Sequence, residues 1–240
     1  MHALPEATAR LLGVLDGMPE ADGLVLGGGT ALALHIAHRR SEDLDFVFAA
    51  TTLPRRRLSR LLTRLRDNHE VQALPNVAAE QDFIDAGLAL PDYQQDYSVD
   101  GVKLSFFVPD PESLIDALED AAGMAGLSRI RVLTLDSLFL MKAVTLNNRV
   151  MLRDLYDIYV LVEQHGYAPE AVFDAAARHG HSPDALKQRL LAARMRRDDP
   201  GLETLLPQAP AFEQLQAWFA ARIDRIEQDA ATAAARGRGE

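Results

Sequence analysis

Leu24-Val25-Leu26-Gly27-Gly28-Gly29-Thr30, then Ala31 to His38, then Arg39-Arg40-Ser41-Glu42-Asp43-Leu44-Asp45-Phe46, is the stretch on which the fold turns. It predicts a short apolar strand, a glycine turn, one alanine-rich helix and a second strand carrying two carboxylates. Glycines at the turn permit positive φ and let another group come close to the backbone. Free N–H groups and the positive end of the dipole at the start of the next helix favour an anion, with phosphate the usual biological candidate. Side chains alternate along a strand, so Asp43 and Asp45 share one face while Leu44, Phe46 and Phe48 take the other. Two adjacent carboxylates repel unless a cation neutralises them, and hard oxygen ligands suit Mg²⁺ held jointly with substrate phosphates. An isolated Asp-x-Asp is ordinarily a solvated strand face. Here a phosphate-type turn lies one helix upstream, and Arg39 and Ser41 stand just before the acids.

Outward from that stretch, Leu4, Leu11, Leu12 and Leu15 predict a packing helix closed by Gly17 and Pro19. Thr52 and Pro54 open a helix to about Asn68, with Leu58, Leu61, Leu62 and Leu65 as its apolar stripe. Its other face carries Arg55, Arg56, Arg57, Arg60, Arg64 and Arg66, which suits either an RNA backbone or a solvated helix with its charges paired elsewhere. Strands are expected near Val71 and around Asp82 to Leu90. Tyr97 and Val99 alternate before Asp100-Gly101, and Val102, Leu104 and Phe106 after it, the pattern of a two-residue hairpin. Pro111 to Leu118 reads as a short helix, Gly123 and Gly126 loosen the chain beyond it, and Arg131 to Leu133 reads as a strand.

Thr134 or Asp136 can cap a helix over Ser137 to Leu146 that is apolar on nearly every side except at Lys142. An ammonium there must find a carboxylate, find phosphate or snorkel out. The following helix supplies Asp154 and Asp157, three apart and therefore on one flank, with Leu155, Ile158, Tyr159 and Val162 toward the core. Acids in a first helical turn also complement the dipole. Beyond Gly166 the chain is helical, Leu/Ala-rich and punctuated by prolines. A second basic stripe comprises Lys187, Arg189, Arg194, Arg196 and Arg197, and Leu215, Trp218, Phe219 and Ile223 read as core rather than as a base-stacking platform. His69, His179 and His181 have no metal-site spacing and read as surface residues.

Net charge of −10 over 240 residues argues against a protein that coats nucleic acid nonspecifically, although a local basic patch is compatible with it. With no cysteine there are no disulfides, no thiolate chemistry and no thiol ligands for zinc. No basic-then-apolar leader and no run long enough to span a bilayer is visible, so a cytoplasmic location without membrane partners is expected.

Gly28-Gly29-Thr30-Ala31-Leu32-Ala33-Leu34, His38-Arg39 with Ser41, and Asp43-Leu44-Asp45-Phe46 resemble the signature of the AbiEii/AbiGii toxin family of nucleotidyltransferases. That family is similar to the DNA polymerase β type of enzyme, and the resemblance covers roughly residues 20 to 165. It implies an α+β fold, a polymerase β-like core with a mixed sheet flanked by helices over residues 1–165; beyond it the sequence itself predicts a helical region over 166–230 and a frayed, disordered tail over 231–240. It also implies that Gly28, Gly29, Thr30, Arg39, Ser41 and Lys142 bind nucleotide and that Asp43 and Asp45 hold Mg²⁺ or Mn²⁺. Lys142 with Arg149, Asp154 and Asp157 resembles the family's lysine helix followed by an Arg-Asp-x-x-Asp helix. In that pattern Lys142 contacts phosphate or stabilises transition-state charge, and an aspartate orients it.

Polymerase β-like enzymes usually carry a third metal-binding carboxylate on the strand beside Asp-x-Asp, and here that position aligns with Ser105. Lys103-Leu104-Ser105-Phe106-Phe107 resembles one branch of the family. Asp96 and Asp100 are nearby acids, but no spacing singles either out. The implied activity is Mg²⁺-dependent transfer of an NMP from an NTP to RNA, such as a tRNA 3′ end, or to a protein hydroxyl. The protein would be a toxin with a separately encoded antitoxin. Ser105 motivates an alternative, a catalytically inactive nucleotide-binding protein with a regulatory or assembly role. A third reading is an unrelated α/β binding domain in which turn and acids coincide by accident.

Overall fold

Apolar alternation on the strands builds a seven-stranded mixed sheet in the order β3-β4-β5-β2-β1-β7-β6. The strands are β1 (Val25–Leu26), β2 (Leu44–Val47), β3 (Val71–Ala73), β4 (Gln94–Val99), β5 (Val102–Phe107), β6 (Ala121–Gly123) and β7 (Arg131–Leu133). β2 pairs antiparallel with β1 and parallel with β5, and β1 pairs parallel with β7. The computed structural model describes residues 4–109, 114–194, 205, 207 and 209–236. It divides the chain into two compact units, residues 1–138 and 139–240. The described residues make an α+β protein, as expected.

In the first unit one sheet face is apolar. Phe46 and Phe106 are fully buried and stack with ring centroids 5.9 Å apart. Helix α3 (Arg55–Leu65) buries Leu58, Leu61, Leu62 and Leu65, each side chain contributing about 1.5–3 kcal/mol on burial. The β4–β5 hairpin has Asp100 at φ 50° and Gly101 at φ 82°, so both turn residues are left-handed, as the favoured two-residue turn requires. Helix α1 (Glu6–Asp16) ends on an acid that pins a distant loop. The buried Asp16 carboxylate accepts bonds from the backbone of Ser128, Arg129 and Ile130 and from the Ser128 hydroxyl, all at 2.8–2.9 Å.

Two local expectations are corrected. The stretch expected as a strand around Asp82 to Leu90 is instead helix α4 (Val77–Asp85), followed by a 3-10 turn at Leu90–Asp92. Asn76 starts this helix, its side chain accepting from the Ala79 N–H at 3.2 Å. Gly123 does not merely loosen the chain; it closes strand β6, paired with β7. Of the short helix expected over Pro111 to Leu118, only α5 (Ile115–Leu118) is seen, and 110–113 lie outside the described residues.

Helix α6 (Leu135–Asn148) straddles the division between the units, its start bonded through the Ser137 N–H to the Thr134 hydroxyl at 3.3 Å. In the second unit follow α7 (Leu152–His165), α8 (Glu170–Arg178), α9 (Pro183–Ala192) and α10 (Phe212–Arg236). Helix α10 packs on α7 and α9 through buried Leu215, Phe219 and Ile223, as the spacing predicts. Trp218, expected in the core, is only half-buried; it donates to Glu163 at 2.9 Å and meets Tyr159 and Phe219 edge-on. α10 runs to Arg236, well into the stretch expected to fray, while 237–240 lie outside the described residues.

Candidate active site

The glycine turn leaves β1 by a bond from the Gly27 N–H to the Asp45 carbonyl at 2.8 Å and enters α2 (Gly28–Ile36) directly. Gly28 has φ +63°, and a Cβ there would lie 2.9 Å from the Asp45 Cβ and 3.0 Å from its Cγ, with Oδ2 nearer still. A Cβ on Gly29 would strike the Arg39 guanidinium and stand 3.0 Å from the Ser41 hydroxyl. Both glycines are therefore required by close approach: Asp45, Arg39 and Ser41 rest against the first turn of α2, where side chains would otherwise stand. That turn is the electropositive end of the helix, and a glycine N-cap brings no side-chain acceptor to it.

The return of the chain to this point is also built locally. Ala37 ends α2 in the left-handed conformation at φ 51°, reversing direction so that residues 38–43 run back toward the helix start. The buried Thr30 hydroxyl bonds the Ser41 hydroxyl at 2.9 Å and the Asp43 carbonyl, tying the helix to the approach to β2. His35 Nε2 meets the Leu133 carbonyl at 2.8 Å, fixing the other end of α2 to β7. Thus Gly28, Gly29, Thr30, Arg39, Ser41 and Asp45 are brought together, with half-buried Asp43 just ahead of β2.

On the neighbouring strand, Ser105 is the register partner of Asp45. One strand further out, Asp96 is the register partner of Ser105. Asp45, Ser105 and Asp96 therefore form a row on one sheet face. The Ser105 hydroxyl is buried and makes no hydrogen bond, and Asp96 Oδ1 is likewise buried without a partner, while its Oδ2 accepts from Gln94 at 2.7 Å. Among the described residues no three His, Asp or Glu lie close enough together to hold a metal ion by themselves. The donor set nonetheless fits Mg²⁺, which is ordinarily bound by one or two carboxylates completed by substrate phosphates and water.

Sequence alone did not single out Asp96, although its position was countable. From a two-residue turn at Asp100-Gly101 the pairs run Val99–Val102, Ser98–Lys103, Tyr97–Leu104 and Asp96–Ser105.

The second unit holds an ionic cluster. The buried Lys142 Nζ lies 2.8 Å from Asp154 Oδ1 and 2.7 Å from Asp157 Oδ2, and Arg149 Nε lies 3.1 Å from Asp154 Oδ2. Both carboxylates are inaccessible to solvent, so Lys142 has found carboxylate partners and does not snorkel out. Burial would raise the pKa of Asp154, but the charges of Lys142 and Arg149 outweigh it and hold the carboxyl below its ordinary value.

The basic face of α3 is partly self-neutralised. Arg55 pairs with Asp92 at 3.1 Å, Arg64 with Glu20 at 3.3 Å, and Arg57 donates to the carbonyls of Glu20 and Asp22. Among the described residues Arg56, Arg60 and Arg66 have no carboxylate within ion-pair distance. In the second stripe Lys187 is held by Asp184 and Glu227, and Arg196 and Arg197 lie outside the described residues. His69 bonds Asp100 at 2.6 Å, a contact that secures the hairpin turn rather than a metal.

Compared with known proteins, residues 10–235 match the family described as nucleotidyl transferase AbiEii toxin, type IV TA system. Among solved structures, a putative nucleotidyltransferase from Helicobacter pylori is similar at 18% identity and TM-score 0.50, covering 95% of this chain and 98% of that one. MenT4, a nucleotidyltransferase toxin from Mycobacterium tuberculosis, is similar at 16% identity and TM-score 0.50, covering 90% of this chain and 84% of its own. Among curated proteins none matches.

Proposed function

Since the chain belongs to the AbiEii nucleotidyl transferase toxin family, and is thereby a nucleotidyltransferase, we propose that it moves an NMP from an NTP to an acceptor hydroxyl with Mg²⁺ or Mn²⁺ as cofactor. The observation that carries this reading is the packing of the Asp45 carboxylate against Gly28 at the first turn of α2. It sets an electropositive helix end for phosphate beside an acid for the metal that phosphate brings. In this reading the backbone of Gly28 and Gly29 receives the triphosphate, and the buried Arg39 guanidinium, with Ser41 and Thr30, holds the turn in shape around it. Asp43 and Asp45 would hold the ion, which would polarise the acceptor oxygen and offset charge on the leaving pyrophosphate. The acceptor oxygen attacks the α-phosphorus, its bond to the bridging oxygen of the β-phosphate breaks, and the hydroxyl proton passes to solvent.

On the family resemblance we assign Lys142 to contact with nucleotide phosphate or to stabilising transition-state charge, with Asp154 and Asp157 orienting its ammonium. RNA, such as a tRNA 3′ end, is the acceptor we favour over a protein hydroxyl. Arg56 and Arg60 on α3, and Arg66 just past its end, are the basic groups available to its backbone. The system would include an antitoxin encoded apart from this chain. We place the protein in the cytoplasm; among the described residues no helix is long and apolar enough to cross a membrane.

The test is transfer of label from each α-labelled NTP, with Mg²⁺ or Mn²⁺, into total tRNA or protein. Wild type is run beside a variant with Asp43→Asn and Asp45→Asn. Label with wild type alone supports the reading and names nucleotide and acceptor. Metal-dependent nucleotide binding without label would instead favour the catalytically silent reading that Ser105 motivates.

A further inference from the structure

The row Asp45, Ser105, Asp96 spans three hydrogen-bonded strands, β2, β5 and β4. Its middle member is 4% exposed and bears a hydroxyl without a hydrogen-bond partner, and one carboxylate oxygen of its outer member is in the same condition. Buried hydroxyl and carboxylate oxygens left unpaired cost free energy, and such groups in a folded protein ordinarily bind a water or an ion. Two such oxygens on directly opposed residues, in line with a metal-binding carboxylate, point to a shared occupant.

Strand spacing decides what that occupant can be. Adjacent strands lie about 4.8 Å apart and same-face side chains stand roughly parallel off the sheet, so the carboxylates of Asp45 and Asp96 rise from points roughly 10 Å apart. One ion with ligand bonds of about 2.1 Å does not close that gap unaided. An ion extended by one coordinated water does, since a water adds a hydrogen bond of about 2.8 Å. The lack, among the described residues, of any three acids close enough to hold a metal directly fits the same geometry.

We infer that Ser105 and Asp96 together replace the absent third carboxylate: a metal-bound water seated over the Ser105 hydroxyl donates to Asp96, which supplies the missing negative charge one strand further out. The inference rests on the proposed assignment of the metal to Asp43 and Asp45. Asp96 is a positioning residue in it, acting through the water. The competing role for Asp96 is charge balance in the cavity of about 450 Å³ that it lines together with Arg55 and Arg66. In that case Ser105 would play no part.

The experiment measures Mn²⁺ affinity by loss of the free-ion paramagnetic resonance signal, in the presence of a non-hydrolysable NTP analogue. Outer partners of metal ligands are typically worth about 10–100-fold in affinity, so Asp96→Asn and Ser105→Ala are each expected to weaken binding about 10-fold or more. The double variant should be no weaker than either single one, because both act through one water. Ser105→Asp should bind tightly and make Asp96→Asn silent. Wild-type affinity in Asp96→Asn, or independent effects that multiply in the double variant, overturns the inference. Melting temperatures without metal establish that each variant folds, and if Asp96→Asn does not, wild-type affinity in Ser105→Ala is enough to overturn it. Asp45→Asn separates the two levels of argument. Binding lost there but kept in Asp96→Asn leaves the proposed function standing without this inference, whereas a wild type that binds no Mn²⁺ removes the metal assignment itself.

Discussion

Gly28→Ala tests the site at its tightest point. The residue sits at φ +63°, where an alanine costs about 1–2 kcal/mol relative to glycine. The new methyl would also stand 2.9 and 3.0 Å from Asp45 Cβ and Cγ, where ordinary contact begins near 3.4 Å, and nearer still to Oδ2. Cβ of Asp45 belongs to a strand paired on both sides, so it cannot retreat; the carboxylate must swing away by on the order of 1 Å. A misplacement of that size at a catalytic group costs about 100-fold in rate. The variant should therefore lose about 1–2 kcal/mol of stability in urea unfolding while losing about two orders of magnitude in NMP transfer. Gly28→Ala with wild-type turnover would refute the argument that the glycine exists to seat Asp45. A variant that is unfolded would show that the turn matters to the fold before it matters to chemistry.

The Lys142 cluster predicts a second effect. Asp154→Ala takes one of two carboxylates from Lys142, which keeps Asp157, and the partner of the half-exposed Arg149, so the loss of a charged hydrogen bond should cost about 1.5–3 kcal/mol, measurable as a lower urea midpoint. A change under about 1 kcal/mol would show that water enters the cluster. Asp16 predicts acid sensitivity. Burial would raise its pKa, but four hydrogen bonds outweigh this and hold it down to about 2 against an ordinary 3.8. With the folded value depressed, its stabilisation, of about 2 kcal/mol, is complete above about pH 4 and is lost as pH falls toward 2. Comparing unfolding free energies at pH 5 and pH 2.5, Asp16→Asn should lose less stability on acidification than wild type; equal losses would sink the assignment.

Much of the site was legible because its signals are local. The glycine turn, the strand carrying Asp45, the Asp100-Gly101 hairpin and the amphipathic α3 each depend on periods of two or 3.6 residues or on left-handed φ, which neighbours in the chain impose. The expected strand around Asp82 to Leu90 failed for the complementary reason. Val77 and Ile84 are exposed, so no buried face enforced a period, and the Asn76 cap tipped the segment to helix. The choice between snorkelling and pairing for Lys142 was likewise closed to the sequence, since it depended on where the next helix places Asp154 and Asp157.

Local signals in the sequence were enough to place a glycine turn and one short helix ahead of Asp43-Leu44-Asp45, with Asp45 on a strand and Ser105 on a hairpin strand. That Asp45 presses on Gly28, that Arg39 and Ser41 fold back on Gly29, and that Asp96 lines up behind Ser105 emerges from the folded chain. Those relations join residues far apart in the chain through strand register and chain reversal. They are fixed by burying Leu44, Phe46, Leu104 and Phe106 on one sheet face, because a slip of one residue in either strand would turn every acid into the core.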